Sequence, residues 1–188
     1  VDPAGTPELS AVLLAGGRGS RLGGVDKGGL EVEGRSLLER SLAALADAAE
    51  VVVVGDPVPT GRPVTFCRES PAYGGPVAAL LTGVDRLARP PALLAVLAVD
   101  MPYVSAATVA RLRSTAAGRD GARLVGPDGR AQLALVLDAA RLAQVRPTPA
   151  AQDGMAMRRL LAPLDLAAVP AVGPEHRDVD TWADLAEP

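Results

Sequence analysis

The 188 residues, 48% of them hydrophobic, suit a single domain with a full core, and the longest apolar stretch, the broken run "PPALLAVLAV" at 90–99, is far shorter than the roughly 20 residues of a membrane span. A net charge of −3 and an aromatic content of 2% give no overall attraction to nucleic acid or anionic membranes and no platform for stacking bases. A single cysteine, Cys67, excludes an internal disulfide and a cysteine-based zinc site and fits a reducing, cytoplasmic setting, while a single histidine, His176, removes most metal-dependent hydrolase layouts and the usual Ser-His-Asp arrangement.

Residues 1–9 lack an initiator methionine and are expected to form a disordered leader to one domain over 10–188. "LSAVLLAG" (9–16) is an unbroken apolar run closed by glycine, the pattern of a buried parallel strand entering a loop. After a long loop, "SLLERSLAALADA" (36–48) places Ser36 as N-cap and Glu39 three residues later, a capping box ahead of helically spaced apolar positions. "EVVVVG" (50–55) and "PVTFCRE" (63–69) predict strands, and "GGPVAALLTGVDRLA" (74–88) predicts a helix with Pro76 in its first turn. "ALLAVLAVD" (92–100) is another buried strand ending on an acid, followed by a helix capped by Ser105. "GARLVGPDGRAQLALVL" (121–137) predicts two strands joined at Pro127–Gly129, and "DAARLAQV" (138–145) a helix. The remainder predicts a helix in "GMAMRRLLAPL" (154–164), a strand in "LAAVPAV" (166–172) and a last short helix in "DTWADLAE" (180–187), capped by Asp180 or Thr181. This alternation implies an α/β fold with an open, mostly parallel sheet, whose ligands sit beyond the carboxyl ends of its strands. The segments to inspect are therefore 15–27, 55–56, 68–76 and 100–102.

The first of these, "LAGGRGSRLGGVDK" (14–27), leaves a strand end with glycines that let backbone N–H groups approach an anion, and with Arg21 and Lys27 as mobile positive charge. It is not a Walker A loop, because Lys27 follows Asp26 and precedes Gly28 where Gly-Lys-Ser/Thr is required. Nor is it the dinucleotide fingerprint, since Gly23 falls one place late and the loop is too long and too charged for a tight turn. Asp100, delivered by a buried strand, suits Mg²⁺, which takes one or two carboxylates together with substrate phosphates. Asp178 and Asp180 either complete such a site or cap the last helix. Glu69 and Ser70 precede a Gly-Gly-Pro helix start, so one carboxylate and several backbone donors face the same crevice. Arg158 and Arg159 diverge by about 100° on a helix, so one of them at most faces the crevice. His176 has no partner motif and is expected to be structural or exposed.

These residues resemble the molybdenum cofactor guanylyltransferases. The loop at 14–27 is similar to their L-A-G-G-x-x-x-R-[ML]-G signature with its following lysine. "GGPVAAL" (74–80), "AVDMPYVS" (98–105) and "DVDTWADL" (178–185) resemble three further family segments in the right order, so the likeness spans 11–186. It implies a single-domain, three-layer Rossmann-like nucleotidyltransferase fold, with a mostly parallel mixed sheet flanked by helices. It implies transfer of GMP from GTP to the terminal phosphate of molybdopterin with release of pyrophosphate. Leu14, Ala15, Gly16 and Gly17 would contact the nucleotide through backbone, with Gly55, Glu69 and Gly75 beside it. Arg21 and Lys27 would hold phosphates, and Asp100 would bind Mg²⁺, with Asp178 and Asp180 as further metal candidates. Gln132, Arg158 and Arg159 would face the acceptor. Glu69 stands where the family usually has Asp, Gly55 where it often has Asn, and Asp178 and Asp180 replace two Asn. The same fold also serves cytidylyltransferases, sugar-phosphate nucleotidyltransferases and non-catalytic nucleotide-binding members. Partners implied are the two substrates, with transient contact to cofactor-handling proteins or apo-enzymes, and neither nucleic acid nor membrane.

Overall fold

The computed structural model describes residues 7–16, 27–70, 74–179, 181, 182 and 184. At its centre β1 (Leu9–Leu14) pairs in parallel with β4 (Glu50–Val54) on one side and β6 (Leu93–Ala98) on the other. The full seven-stranded sheet runs β5 (Thr65–Cys67), β4, β1, β6, β8 (Ala131–Asp138), β7 (Gly121–Val125), β9 (Leu166–Pro170). β8 alone runs against its neighbours, antiparallel to both β6 and β7, while β9 is parallel to β7. The expected mostly parallel mixed sheet, flanked by helices, is therefore present. Because six strands point one way, the loops after β1, β4, β5, β6, β7 and β9 all emerge along one edge, where β8 also begins.

The central strands are apolar without interruption because both their faces are covered. Ala11, Leu13, Val51, Val53, Ala95 and Leu97 pack on the side of α1 (Leu37–Ala44) and α3 (Ala106–Thr115). Val12, Leu14, Val54, Leu94 and Val96 face the opposite side, with α2 (Gly75–Val84), α4 (Ala139–Gln144) and α6 (Met157–Leu161). The period-2 alternation of a strand thus feeds two cores at once. Among the described residues no helix is long and apolar enough to cross a membrane.

Several expectations are corrected. The disordered leader does not extend through residue 9: the Pro7 carbonyl accepts from the Arg113 guanidinium, Glu8 pairs with Arg89 at 2.6 Å, and Leu9 is buried in β1. The first long loop contains a hairpin, β2 (Glu31–Val32) with β3 (Arg35–Ser36), turned at Glu33 (φ 51°) and Gly34 (φ 74°). Two positive φ values in succession are those of a type I′ turn, whose twist matches a hairpin. The capping box at α1 is half-formed: Ser36 Oγ accepts from Glu39 N at 3.1 Å, but the Glu39 carboxylate accepts from Gly61 N at 2.8 Å. The helix expected over 154–164 shortens to α6, since Gly154 holds a φ of 65°. Ahead of it lies α5 (Pro149–Gln152), a single turn that begins with proline at its first position. Near the C-terminus Thr181 and Asp184 exchange hydrogen bonds, and Asp180 lies outside the described residues.

Gly121 opens β7 at a φ of 155°, and a Cβ there would collide with the Val136 carbonyl oxygen and lie 3.1 Å from Leu137 Cα. Those are backbone atoms of the paired strand β8 and cannot swing aside. Gly121→Ala is expected to lower unfolding free energy by about 1–3 kcal/mol, as overpacking does, which urea denaturation would register as an earlier midpoint.

Candidate active site

β1 leads to β4 on one side of itself, and the chain later returns to place β6 on its other side, so the direction of strand succession reverses between β1 and β6. In open α/β sheets the crevice beyond such a reversal is where ligands bind. Here it holds an ion pair: Lys27, in a turn of 3₁₀ helix at the end of the β1 loop, places its Nζ 3.0 Å from Oδ2 of Asp100, two residues past β6. The side chains are 16% and 26% exposed, so the pair is shielded yet reachable. Its position is set by backbone: Val99 N donates to Leu14 O at 3.0 Å, continuing the β1–β6 pairing past the strand ends. From the other direction, Val179 N donates to Asp100 O at 2.8 Å.

The floor of the crevice is made of small residues in close contact. Ala15 N donates to Val54 O and Gly55 N to Cys67 O, both at 2.9 Å. A Cβ on Gly55 would stand 3.0 Å from the Ala15 Cβ, so the chain after β4 presses directly on the chain after β1. Gly75 begins α2 with a φ of 89°, and Gly154 N donates to Gly74 O at 2.9 Å. That bond ties the α5–α6 connection to the start of α2. Glu69, two residues beyond β5, is half-buried. Burial pushes the neighbouring Cys67 thiol up, Arg86 opposing and Glu69 reinforcing, which keeps it protonated rather than nucleophilic.

The chain matches the MobA-like NTP transferase domain over residues 11–169. It is 32% identical over 186 residues to the molybdenum cofactor guanylyltransferase of Burkholderia orbicola, spanning 94% of this chain and 82% of the relative. The chain belongs to the MobA-like NTP transferase family. Solved structures agree in fold. The 2-C-methyl-D-erythritol 4-phosphate cytidylyltransferase of Thermus thermophilus superposes with a TM-score of 0.70 at 24% identity, covering 95% of this chain and 96% of that one. The molybdopterin-guanine dinucleotide biosynthesis protein A of Archaeoglobus fulgidus gives 0.69 at 18% identity, covering 94% and 95%.

Within this nucleotidyltransferase fold, Leu14, Ala15, Gly16, Gly55, Glu69, Gly75, Lys27 and Asp100 all lie at the carboxyl edge of the sheet, where the sequence pattern puts them. Gly17, Arg21 and Asp180 fall outside the described residues. Gln132, at the start of β8, lines a polar cavity of about 310 Å³ together with Arg130, His176, Arg177 and Asp178. Asp178 is therefore on the wall of that cavity, and among the described residues no three His, Cys, Asp or Glu side chains form a metal-holding group. Asp100 offers a carboxylate of the kind that a hard cation shares with phosphate oxygens. Arg158 and Arg159 are both exposed on α6, which is anchored by Leu160 and Leu161.

Sequence reasoning missed the group that secures the cavity wall. Glu175, 7% exposed, accepts from Thr108 Oγ1 at 2.5 Å, from the Arg111 guanidinium at 2.6 and 3.1 Å, and from Val172 N at 2.8 Å. The one signal for it is the spacing Val-Gly-Pro-Glu at 172–175, an acid three residues after a helix cap with proline in the first turn. Burial alone would raise the Glu175 carboxyl, but Arg111, Thr108 and the Val172 amide together hold it below its ordinary value of 4.5. A carboxyl with a lowered folded-state pKa stabilises the fold fully above its unfolded value, and that contribution is lost as pH falls through the folded value. The difference in thermal midpoint between the native chain and Glu175→Gln should therefore be constant at neutral pH and shrink steadily below about pH 4.5.

Proposed function

We propose that this chain transfers the GMP moiety of GTP to the terminal phosphate of molybdopterin, releasing pyrophosphate. The observation that carries the reading is the Lys27–Asp100 ion pair, 3.0 Å across the crevice where the sheet reverses its strand order. Membership of a family whose curated members include guanylyltransferases of the molybdenum cofactor supplies the substrates.

The chemistry asks little of side chains beyond charge and position. A phosphate monoester has a second pKa near 6 and is largely dianionic at neutral pH, so the attacking acceptor oxygen needs no general base. A proton-accepting side chain is accordingly dispensable, and His176 is not asked to supply one. What remains is to align the acceptor with the α-phosphorus and to neutralise charge on the leaving pyrophosphate, the two effects that contribute most to rate in phosphoryl-type transfers. Lys27, and Arg21 by its place in the loop motif, would hold the phosphates of GTP; the backbone of Leu14–Gly17 and the glycines at 55 and 75 would admit the nucleotide closely. Mg²⁺, taken by Asp100 with Asp178 or Asp180 as a further carboxylate, would supply charge neutralisation at the phosphates. Gln132 and one of Arg158 and Arg159 would face the acceptor. A GTP donor fits a cytoplasmic setting, with product passed to cofactor-handling proteins or apo-enzymes.

Lys27→Ala and Asp100→Ala should each reduce turnover about a hundredfold, the cost of one preorganised charge at a transition state, in an assay of pyrophosphate release. Near-native turnover in either variant defeats the assignment. Base choice is read separately: with Mg²⁺ present, GTP should raise the melting temperature more than CTP or UTP, since a ligand bound only by the folded state stabilises it. A larger shift with CTP would move the reading to a cytidylyltransferase.

A further inference from the structure

The segment from Ala171 to Val179 crosses the carboxyl edge of the sheet with a single turn of 3₁₀ helix, Gly173–His176, as its regular structure. Such a segment has little of its own to fix its course, yet it is pinned at three places. Ala171 N donates to Val125 O at 2.9 Å, Glu175 is held against α3 by Thr108 and Arg111, and Val179 N reaches Asp100 O at 2.8 Å with the valine side chain buried. Between the last two pins lie His176, Arg177 and Asp178, which line the polar cavity together with Asp128, Arg130, Gln132 and Asp184. Arg177 also stacks over the Tyr103 ring, 5.7 Å from its centroid, on the stretch that joins Asp100 to α3.

A buried carboxylate is a poor choice for stability alone, since an apolar residue of similar size packs as well without losing hydration. What the charged network provides is a single arrangement: the bidentate Arg111 fork, the Thr108 hydroxyl and the Val172 amide together accept only one placement of the Glu175 carboxylate. Thr108 in turn belongs to the reciprocal cap with Ser105 that starts α3, five residues after Asp100. The cavity that this fixes holds donors and carboxylates side by side: Arg130, Gln132, His176 and Arg177 with Asp128, Asp178 and Asp184. Asp128 accepts from Arg130 N at 2.9 Å and Asp184 from Thr181 N, and the guanidinium groups of Arg130 and Arg177 are the positive charges that the cavity presents to an anionic group.

We propose that Glu175 is a positioning residue for the acceptor: by clamping the 171–179 segment onto α3 it holds the His176–Asp178 wall at the distance from Gln132 and Arg130 that an anionic acceptor requires. The proposal rests on the nucleotidyl-transfer reading for the identity of the acceptor, and on geometry alone for the clamp. In that reading the donor nucleotide lies against the β1 loop, and Asp100 is set by the β1–β6 pairing as well as by Val179, so loosening the clamp costs GTP less than it costs the acceptor.

The test uses the full chain with Mg²⁺, GTP and molybdopterin, and compares Glu175→Gln, Arg111→Met, which leaves the Glu175 carboxylate without its cation, and Arg146→Met as a control that breaks the remote Asp85–Arg146 pair. Glu175→Gln should raise the acceptor KM about tenfold or more, as small misplacements of positioning groups do, with Arg111→Met following in the same direction. GTP affinity by thermal shift should fall by a clearly smaller factor than the acceptor KM rises, and Arg146→Met should lower the melting temperature while leaving the acceptor KM alone. Hydrogen exchange gives a readout independent of turnover: amides of Val172, Arg177 and Val179 should exchange faster in Glu175→Gln, while those of β1 and β6 should not. An unchanged acceptor KM, equal losses for GTP and acceptor, or unchanged exchange at 172–179 each overturns the positioning role. Absence of pyrophosphate release from the native chain would instead overturn the nucleotidyl-transfer reading, and exchange would then decide the clamp by itself.

Discussion

The parallel pairing of β1 with β6 is the constraint from which the site follows. Its register, Leu14 against Ala98, brings two chain segments more than seventy residues apart to the same height on the same edge of the sheet. Val99 N bonding to Leu14 O carries the alignment one step further, and Asp100 is the next residue. Lys27 then needs only the length of its own side chain to meet the carboxylate. A parallel pair cannot be joined by a tight turn, so the connections leaving both strands are free to be long and chemically specialised. The unbroken Val, Leu and Ala content of these strands is thus the reason a charged pair can be held still: burial on both faces leaves the strands no alternative placement.

The antiparallel strand β8 does a different job. By running back between β6 and β7 it returns the 126–130 turn to the edge where Asp100 lies, and β9 brings the C-terminal segment to the same edge. One half of the crevice is built by parallel strands and glycine-rich connections, suited to close backbone approach. The other half is built by a hairpin turn and an irregular segment carrying Arg130, Gln132, His176 and Arg177. The matched family domain ends at residue 169, so the wall formed by 171–179 lies beyond the region that the family model describes.

The strands were legible because apolar runs of five to six residues closed by glycine or acid carry a strong pattern, and so was Asp100, whose place directly after such a run identifies it as an edge residue. The hairpin at 31–36 escaped because strands of two residues have no periodicity, and its Glu33-Gly34 turn puts a non-glycine residue at positive φ. The capping box at Ser36 was half right for a physical reason: spacing shows that Glu39 can reach back, but not that Gly61, distant in sequence, offers its amide instead. Glu175 was missed for the same reason on a larger scale. Its partners Thr108 and Arg111 are more than sixty residues away, and single-sequence patterns do not see contacts at that range. His176, expected from sequence to be structural or exposed, is placed by the fold on the cavity wall.

The Lys27–Asp100 pair has a consequence for what the crevice admits. Two opposite charges 3.0 Å apart largely cancel, so the pair offers little net field to a lone anion or a lone cation. A metal ion arriving alone would leave the lysine unbalanced, and a phosphate arriving alone would leave the aspartate unbalanced, each stranding a charge in a partly shielded place. A ligand that brings both signs at once can exchange partners with both residues and leave neither charge uncompensated.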